Sequence, residues 1–231
     1  MPLGWPSKTS FYHSPSSIAL KTRSASISLA DFSKSFITPF YYNPLLFNGH
    51  LQTFWTVTKF ADNCPIHYSR QLITNSNDEG QFAVDFVVED GGGPTAEDLP
   101  PRTRYMTEEE KAVLASEDEK PMIVALHGLS GGSYELYLRA VLAPLVARET
   151  GFTACVVTAR GCSMSKITTG QLFNAQFTDD LRETVKYLKK IFPNRPLFAV
   201  GFSMGANILT NVCQPLFYPT RYWIQMLGVI G

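Results

Sequence analysis

Leu197-Phe-Ala-Val200 is a continuous apolar run of strand length, and Gly201-Phe202-Ser203-Met204-Gly205 turns it into a helical segment beginning near Ala206. A serine held this way sits on a sharp, strained turn. Its hydroxyl is raised at the end of a sheet, and the next backbone N–H faces any charge that develops beside it. Gly201 and Gly205 remove side chains where strand and helix crowd together. The competing reading is a tight turn whose serine only caps the next helix.

The middle of the chain supplies the setting for that turn. Met122-Ile-Val-Ala-Leu126 and Phe152 to Val157 are short apolar runs, the pattern of strands covered on both faces. Between them Leu138, Val141, Leu142, Leu145 and Val146 recur at helical spacing, with Pro144 expected to kink the helix and Gly151 to follow its stop. Phe177 to Ile191 is the clearest helix. Thr178 is its predicted cap, Asp179 and Asp180 lie in the first turn, and Leu181, Val185, Leu188 and Ile191 form the apolar stripe. Upstream, Phe82, Val84, Phe86 and Val88 alternate, predicting a half-buried antiparallel strand. Strand and helix alternating over short links predict a mostly parallel sheet with helices on both faces.

Composition narrows the function classes. The 231 residues carry 20 basic and 20 acidic side chains, so no net positive charge favours nucleic acid as a partner. Cys64, Cys155, Cys162 and Cys213 show neither a CxxC pair nor metal-ligand spacing, which favours a reduced, intracellular chain over a disulfide scaffold or zinc site. No run of 18 apolar residues is present to span a membrane as a helix. Glu89 to Lys120 holds ten acids against four bases and is broken by Gly91-Gly92-Gly93-Pro94 and Pro100-Pro101, so it reads as a solvated insert. Residues 1–38 are rich in serine and poor in acids. They read as a poorly ordered leader, weakly like a mitochondrial transit peptide but interrupted by Pro2, Pro6 and Pro15, ahead of a folded domain over 39–231.

A second glycine-rich stretch follows the first buried strand: Leu126-His127-Gly128-Leu129-Ser130-Gly131-Gly132-Ser133. A loop there can donate another backbone N–H to an oxyanion, and the Leu129 N–H is the expected partner of the Met204 N–H. His127 is read as organising the loop rather than as a base, with Gly128 letting the backbone approach closely. A phosphate-cradling loop is the rival, but its Gly-Lys-Ser/Thr ending is missing.

With these residues in view, the chain resembles the α/β-hydrolase superfamily, and within it the AB hydrolase 4 family of carboxylesterases. That family includes fungal medium-chain fatty acid ethyl ester synthase/esterases and monoacylglycerol lipases. Four stretches carry the likeness: Asn43 to Thr53, His127 to Glu135, Ala159-Arg-Gly-Cys-Ser163 with Thr168-Thr169, and Val200 to Leu209. The resemblance implies an α/β-hydrolase fold and Ser203 as nucleophile. It implies oxyanion N–H groups at Met204 and Leu129, and needs no cofactor or metal. It implies a small-molecule partner, a fatty acyl ester, a monoacylglycerol or acyl-CoA, with water or an alcohol accepting the acyl group. Lipid esters would bring such a protein to membranes or lipid droplets, peripherally, or leave it in the cytoplasm. Asn43 to Thr53 would form a loop near the active-site end, and Arg160-Gly161-Cys162 the turn after the second buried strand, with Cys162 structural.

The pattern then departs from the family. An activated serine needs a base and a group that orients it, and in this fold both follow the serine. His13, His50, His67 and His127 all precede Ser203, and the 28 residues after it contain no His, Asp or Glu. The expectation is a hydrolase domain incomplete at its C-terminus, with no triad acid or histidine of its own. The alternative reading is an inactive fragment. Val212-Cys213-Gln-Pro-Leu-Phe-Tyr-Pro219 breaks the helix after the serine, as translation into a retained intron would.

Overall fold

The computed structural model describes residues 9–21, 26–41, 43–58, 64, 66–89, 96–147, 149–213 and 224–230. It divides into two units, Met1–Ala61 and Asp62–Gly231.

In the first unit, β1 (Ala19–Lys21) pairs antiparallel with β2 (Ser26–Ser28), and α1 (Leu29–Phe36) follows directly. Ser28 is a working N-cap: its Oγ accepts from the Asp31 N–H at 3.0 Å, and Asp31 lies in the favourable first turn. α2 (Gly49–Thr58) starts where the Asn48 side-chain oxygen accepts from the Leu51 N–H. Residues 19–36 thus carry more local structure than their composition suggested. The reason is that a cap and a short ladder need no core, and α1 buries no residue. Asn43 to Thr53, expected as one loop, is a turn leading into α2.

The second unit is a seven-stranded sheet flanked by helices. Its elements are β3 (His67–Thr74), β4 (Gln81–Val88), β5 (Thr103–Tyr105), α3 (Glu108–Val113), β6 (Met122–Leu126), α4 (Leu136–Leu145), β7 (Thr153–Thr158), α5 (Asp179–Ile191), β8 (Leu197–Phe202), α6 (Met204–Cys213) and β9 (Ile224–Ile230). The strand order is β5-β3-β4-β7-β6-β8-β9, and β4 alone runs against the others. The parallel part starts in the middle at β6, steps out through α4 to β7, returns through α5 to β8 and continues to β9.

β6 is buried at all five positions, which is why its sequence is continuously apolar. Met122, Val124 and Leu126 face α5 and α6 through Leu181, Val185, Leu188, Ile208 and Leu209. Ile123 and Ala125 face α4 through Leu138 and Leu142. The connections that leave the neighbouring strands β6 and β8 therefore go to opposite faces, and a crevice opens at their C-terminal ends, the usual ligand position in such sheets. Among the described residues no helix is long and apolar enough to cross a membrane.

Several sequence expectations need correction. β4 is buried on both faces rather than half-buried, because Asp85, between the apolar Val84 and Phe86, is fully buried against Arg70. Thr178 occupies the N-cap position of α5 but makes no cap bond; its Oγ1 accepts instead from Arg182 Nε at 3.2 Å. α4 ends at Leu145, directly after Pro144 and well before Gly151, the expected stop. The acidic insert packs in part: β5 adds to the sheet edge, and Leu99, Thr103 and Met106 are buried. Two of its acids are held by arginines, Glu110 by Arg104 and Asp118 by Arg195, while Glu97, Glu108, Glu109, Glu117 and Glu119 stay exposed, as a solvated insert requires. Gly91-Gly92-Gly93-Pro94 and Pro215 lie outside the described residues.

Those pairs give the domain an acid-sensitive edge. Hydrogen bonds from Arg104 pull the Glu110 carboxyl down to about 2, and Arg195 holds Asp118 below the carboxylate range. Both folded values lie below the unfolded ones, so their stabilisation is present above the ordinary carboxylate pKa and is lost as pH falls through the depressed one. The melting temperature should drop as pH is lowered from 4.5 toward 2, and Glu110→Gln should flatten that drop.

Candidate active site

β8 ends at Phe202, α6 starts at Met204, and Ser203 between them has φ +50. A non-glycine residue in this left-handed region costs about 1–3 kcal/mol, which the surrounding structure must impose. Ser203 is exposed, although both neighbouring strand residues are buried. The Asn207 N–H bonds to its carbonyl at 3.1 Å, so the serine backbone also starts the helix.

The glycines on either side are required by contact. A Cβ on Gly201 would stand 2.6 Å from Ala206 Cα, and one on Gly205 would stand 2.5 Å from the His127 carbonyl oxygen. Both obstacles are backbone, which cannot rotate aside. Gly205→Ala should therefore force α6 away from β6 and lower stability in urea by about 3 kcal/mol. An unfolding free energy within about 0.3 kcal/mol of wild type, roughly the error of additive comparisons, would show that the elbow is loose.

The loop after β6 runs beside the serine. The point where a Gly128 Cβ would sit is 3.6 Å from Ser203 Cβ. His127 is buried and anchors the loop at its start. Its Nε2 accepts from the Ala159 N–H at 3.1 Å, so Nδ1 carries the proton and donates to the Gly128 carbonyl at 2.6 Å. Burial pushes its pKa down, and a neutral ring with both nitrogens engaged has none left to take a proton from Ser203. Further along, Ser133 Oγ donates to Asp85 Oδ2 at 2.5 Å, and Asp85 holds Arg70 through two bonds of 2.7 and 2.8 Å. Arg70 also reaches the Ser163 carbonyl, tying the turn after β7 into the same buried network.

Gly128, Leu129, Glu135, Tyr137, Phe202 and Ser203 line one open cleft of about 650 Å³. Leu129 projects into solvent at its rim, 71% exposed. Met204 opens α6, so its N–H belongs to the first turn of the helix, where amides lack intrahelical acceptors. Its side chain faces the opposite side, with Phe173, Phe177 and Ile208 around a cavity of about 40 Å³. Burial raises the Glu135 carboxyl above its usual range and keeps the Cys162 thiol up, so Cys162 is a poor nucleophile.

His67 stands at the start of β3 opposite Val88, at the far end of the sheet from Ser203. His13 and His50 belong to the first unit. At the Ser203 end of the sheet Arg160 lies in the turn after the second buried strand, as the sequence implied, but its partners, and Tyr137, escaped the sequence reading. Arg160, in the turn after β7, pairs with Asp180 on α5 and Asp78 in the β3–β4 turn, lies over the Phe177 ring, and sits where a Gly80 side chain would be. Tyr137 sends its hydroxyl back to accept from the Gly128 N–H at 2.9 Å. Only the Ser-x-Glu-x-Tyr spacing after the glycines could have drawn attention to it.

An exposed serine on a left-handed turn at the switch point of a mostly parallel sheet, flanked by a glycine loop from the adjacent strand, defines an α/β-hydrolase-type site. A family model described as the alpha/beta hydrolase fold matches residues 121–219, and the chain has the α/β-hydrolase fold. It is 40% identical over 183 residues to a monoacylglycerol lipase of Saccharomyces cerevisiae, covering 72% of this chain and 40% of that protein. It is 33% identical over 224 residues to the medium-chain fatty acid ethyl ester synthase/esterase 2 of the same yeast, covering 83% and 49% respectively. A solved esterase of Pyrococcus furiosus superposes on 62% of this chain and 44% of its own, at 20% identity and a TM-score of 0.41. The chain thus spans less than half the length of the two yeast relatives.

Proposed function

We propose that this chain carries the nucleophile half of a serine ester hydrolase acting on medium-chain fatty acyl esters or monoacylglycerol. The observation that carries the reading is Ser203 itself: exposed, at φ +50, and wedged between two glycines whose Cβ positions are filled by backbone. The yeast relatives bear lipase and esterase names, which supports the ester class and the fatty acyl chain length.

In this mechanism Ser203 Oγ attacks the acyl carbon and its proton passes to an imidazole base. The carbonyl electron pair moves onto oxygen, where the Met204 and Leu129 N–H groups receive it. Collapse of the intermediate expels the alcohol and leaves an acyl-enzyme. Water then completes hydrolysis, and an alcohol in its place would complete ester synthesis. His127 cannot be the base, since both its nitrogens are engaged. In this fold the orienting carboxylate and the base follow the serine, and residues 204–231 contain neither.

The test is a fluorophosphonate probe with p-nitrophenyl octanoate turnover beside it, and peptide mapping of the labelled residue. Label on Ser203 together with turnover supports the hydrolase; label on another residue overturns it. Slow or absent labelling of Ser203 with no turnover would instead mark a hydrolase fold without activity.

A further inference from the structure

The Gly128 amide can only donate, so the Tyr137 oxygen accepts in their 2.9 Å bond and the phenolic proton is left to go elsewhere. Among the described residues no acceptor takes it. The hydroxyl also stands in the right place. The point where a Gly128 Cβ would sit is 3.5 Å from Tyr137 Oη and 3.6 Å from Ser203 Cβ, so hydroxyl and serine flank the same small space. Tyr137 and Ser203 line the same cleft, and the tyrosine ring is held against Phe202, the residue before the serine, with centroids 5.0 Å apart.

We infer that Tyr137 is a further catalytic residue, whose phenol donates a hydrogen bond to the acyl oxygen as charge develops on it during attack by Ser203. The inference rests on the nucleophile assignment above. It adds a side-chain donor to the two backbone ones. The Gly128–Tyr137 bond then has a purpose beyond folding: it fixes the oxygen so that the proton points into the cleft. No electron or atom is transferred to the tyrosine, which keeps its proton throughout. A phenol is protonated at neutral pH, and burial here pushes its pKa further up, with Glu135 and Tyr134 the titratable groups beside it.

The experiment uses the natural protein that contains these residues. Tyr137→Phe should lower kcat for p-nitrophenyl octanoate by about 10²–10³, the usual loss for one oxyanion donor, with KM changed less than threefold. Because this variant also deprives the Gly128 N–H of its acceptor, a second one separates catalysis from folding. A fluorinated tyrosine at 137, with a more acidic phenol, keeps the oxygen as acceptor even when ionised but loses its donor proton. Its activity should fall as that phenol ionises, giving an alkaline limb that the wild type lacks in the same range. A wild-type pH profile for the fluorinated protein, or an unchanged kcat for Tyr137→Phe, overturns the inference. Ser203→Ala is the companion control. Turnover that survives it sinks the nucleophile assignment, whereas turnover that dies there and survives Tyr137→Phe sinks only the role of the tyrosine.

Discussion

Replacing Ser203 with alanine in the protein that contains this chain is expected to reduce ester turnover by about 10⁶-fold, the scale seen when a triad serine is removed. The remainder, roughly 10³–10⁴ over the reaction in water, would come from oxyanion donors and binding alone. Alanine keeps the Cβ and hence the left-handed strain at φ +50, so the loss would reflect chemistry rather than a relaxed turn. Glycine at the same position should lose turnover equally while gaining about 1 kcal/mol of stability, since it adopts that φ without penalty. Urea melts of the two variants, beside their rates, separate the hydroxyl's chemical role from the backbone strain. Turnover within tenfold of wild type in Ser203→Ala would place the nucleophile elsewhere.

The largest structural loss should come from Asp85→Ala, at about 3–5 kcal/mol, because it strands a guanidinium in the interior. Asp85 and Arg70 are buried almost completely, and their two short bonds are supplemented by Ser133 and Ser163. Removing the carboxylate leaves the Arg70 charge uncompensated and unties Ser133 from the sheet. Turnover should then fall as well as stability, because the loop carrying Leu129 loses its far anchor. Arg70→Met with Asp85→Leu should be less damaging than either single change, since apolar replacements of a buried pair leave no orphan charge. Thermal and urea melts of the three variants decide the matter. A cost below 1 kcal/mol for Asp85→Ala would mean that water reaches the guanidinium.

How far the sequence could be read depended on whether a residue's partner was near in the chain. β6, β7 and β8 were legible because strands covered on both faces are apolar throughout, as Met122 to Leu126 shows. The elbow was legible because glycine and serine at fixed spacing describe backbone geometry rather than a distant contact. β3 was not legible. Its buried Ser69 and Arg70 break any apolar pattern, and Arg70 is satisfied by Asp85, Ser163 and their surroundings, up to 93 residues away. Asp85 misled for the same reason, making β4 look half-exposed. β9 was hidden by the prolines before it, although Ile224–Ile230 pairs in parallel with β8. Tyr137 escaped notice because its significance lies in which atom of a hydrogen bond is the donor, which spacing does not encode.

The two loops meeting at Ser203 leave strands that are bonded to each other along five residue pairs, Met122↔Leu197 through Leu126↔Gly201. Adjacent strands lie about 4.8 Å apart wherever they occur. The gap between serine and glycine loop is therefore metered by peptide geometry, not by how loops happen to settle. Evolution could reshape what lies above the rim without recalibrating the tool beneath.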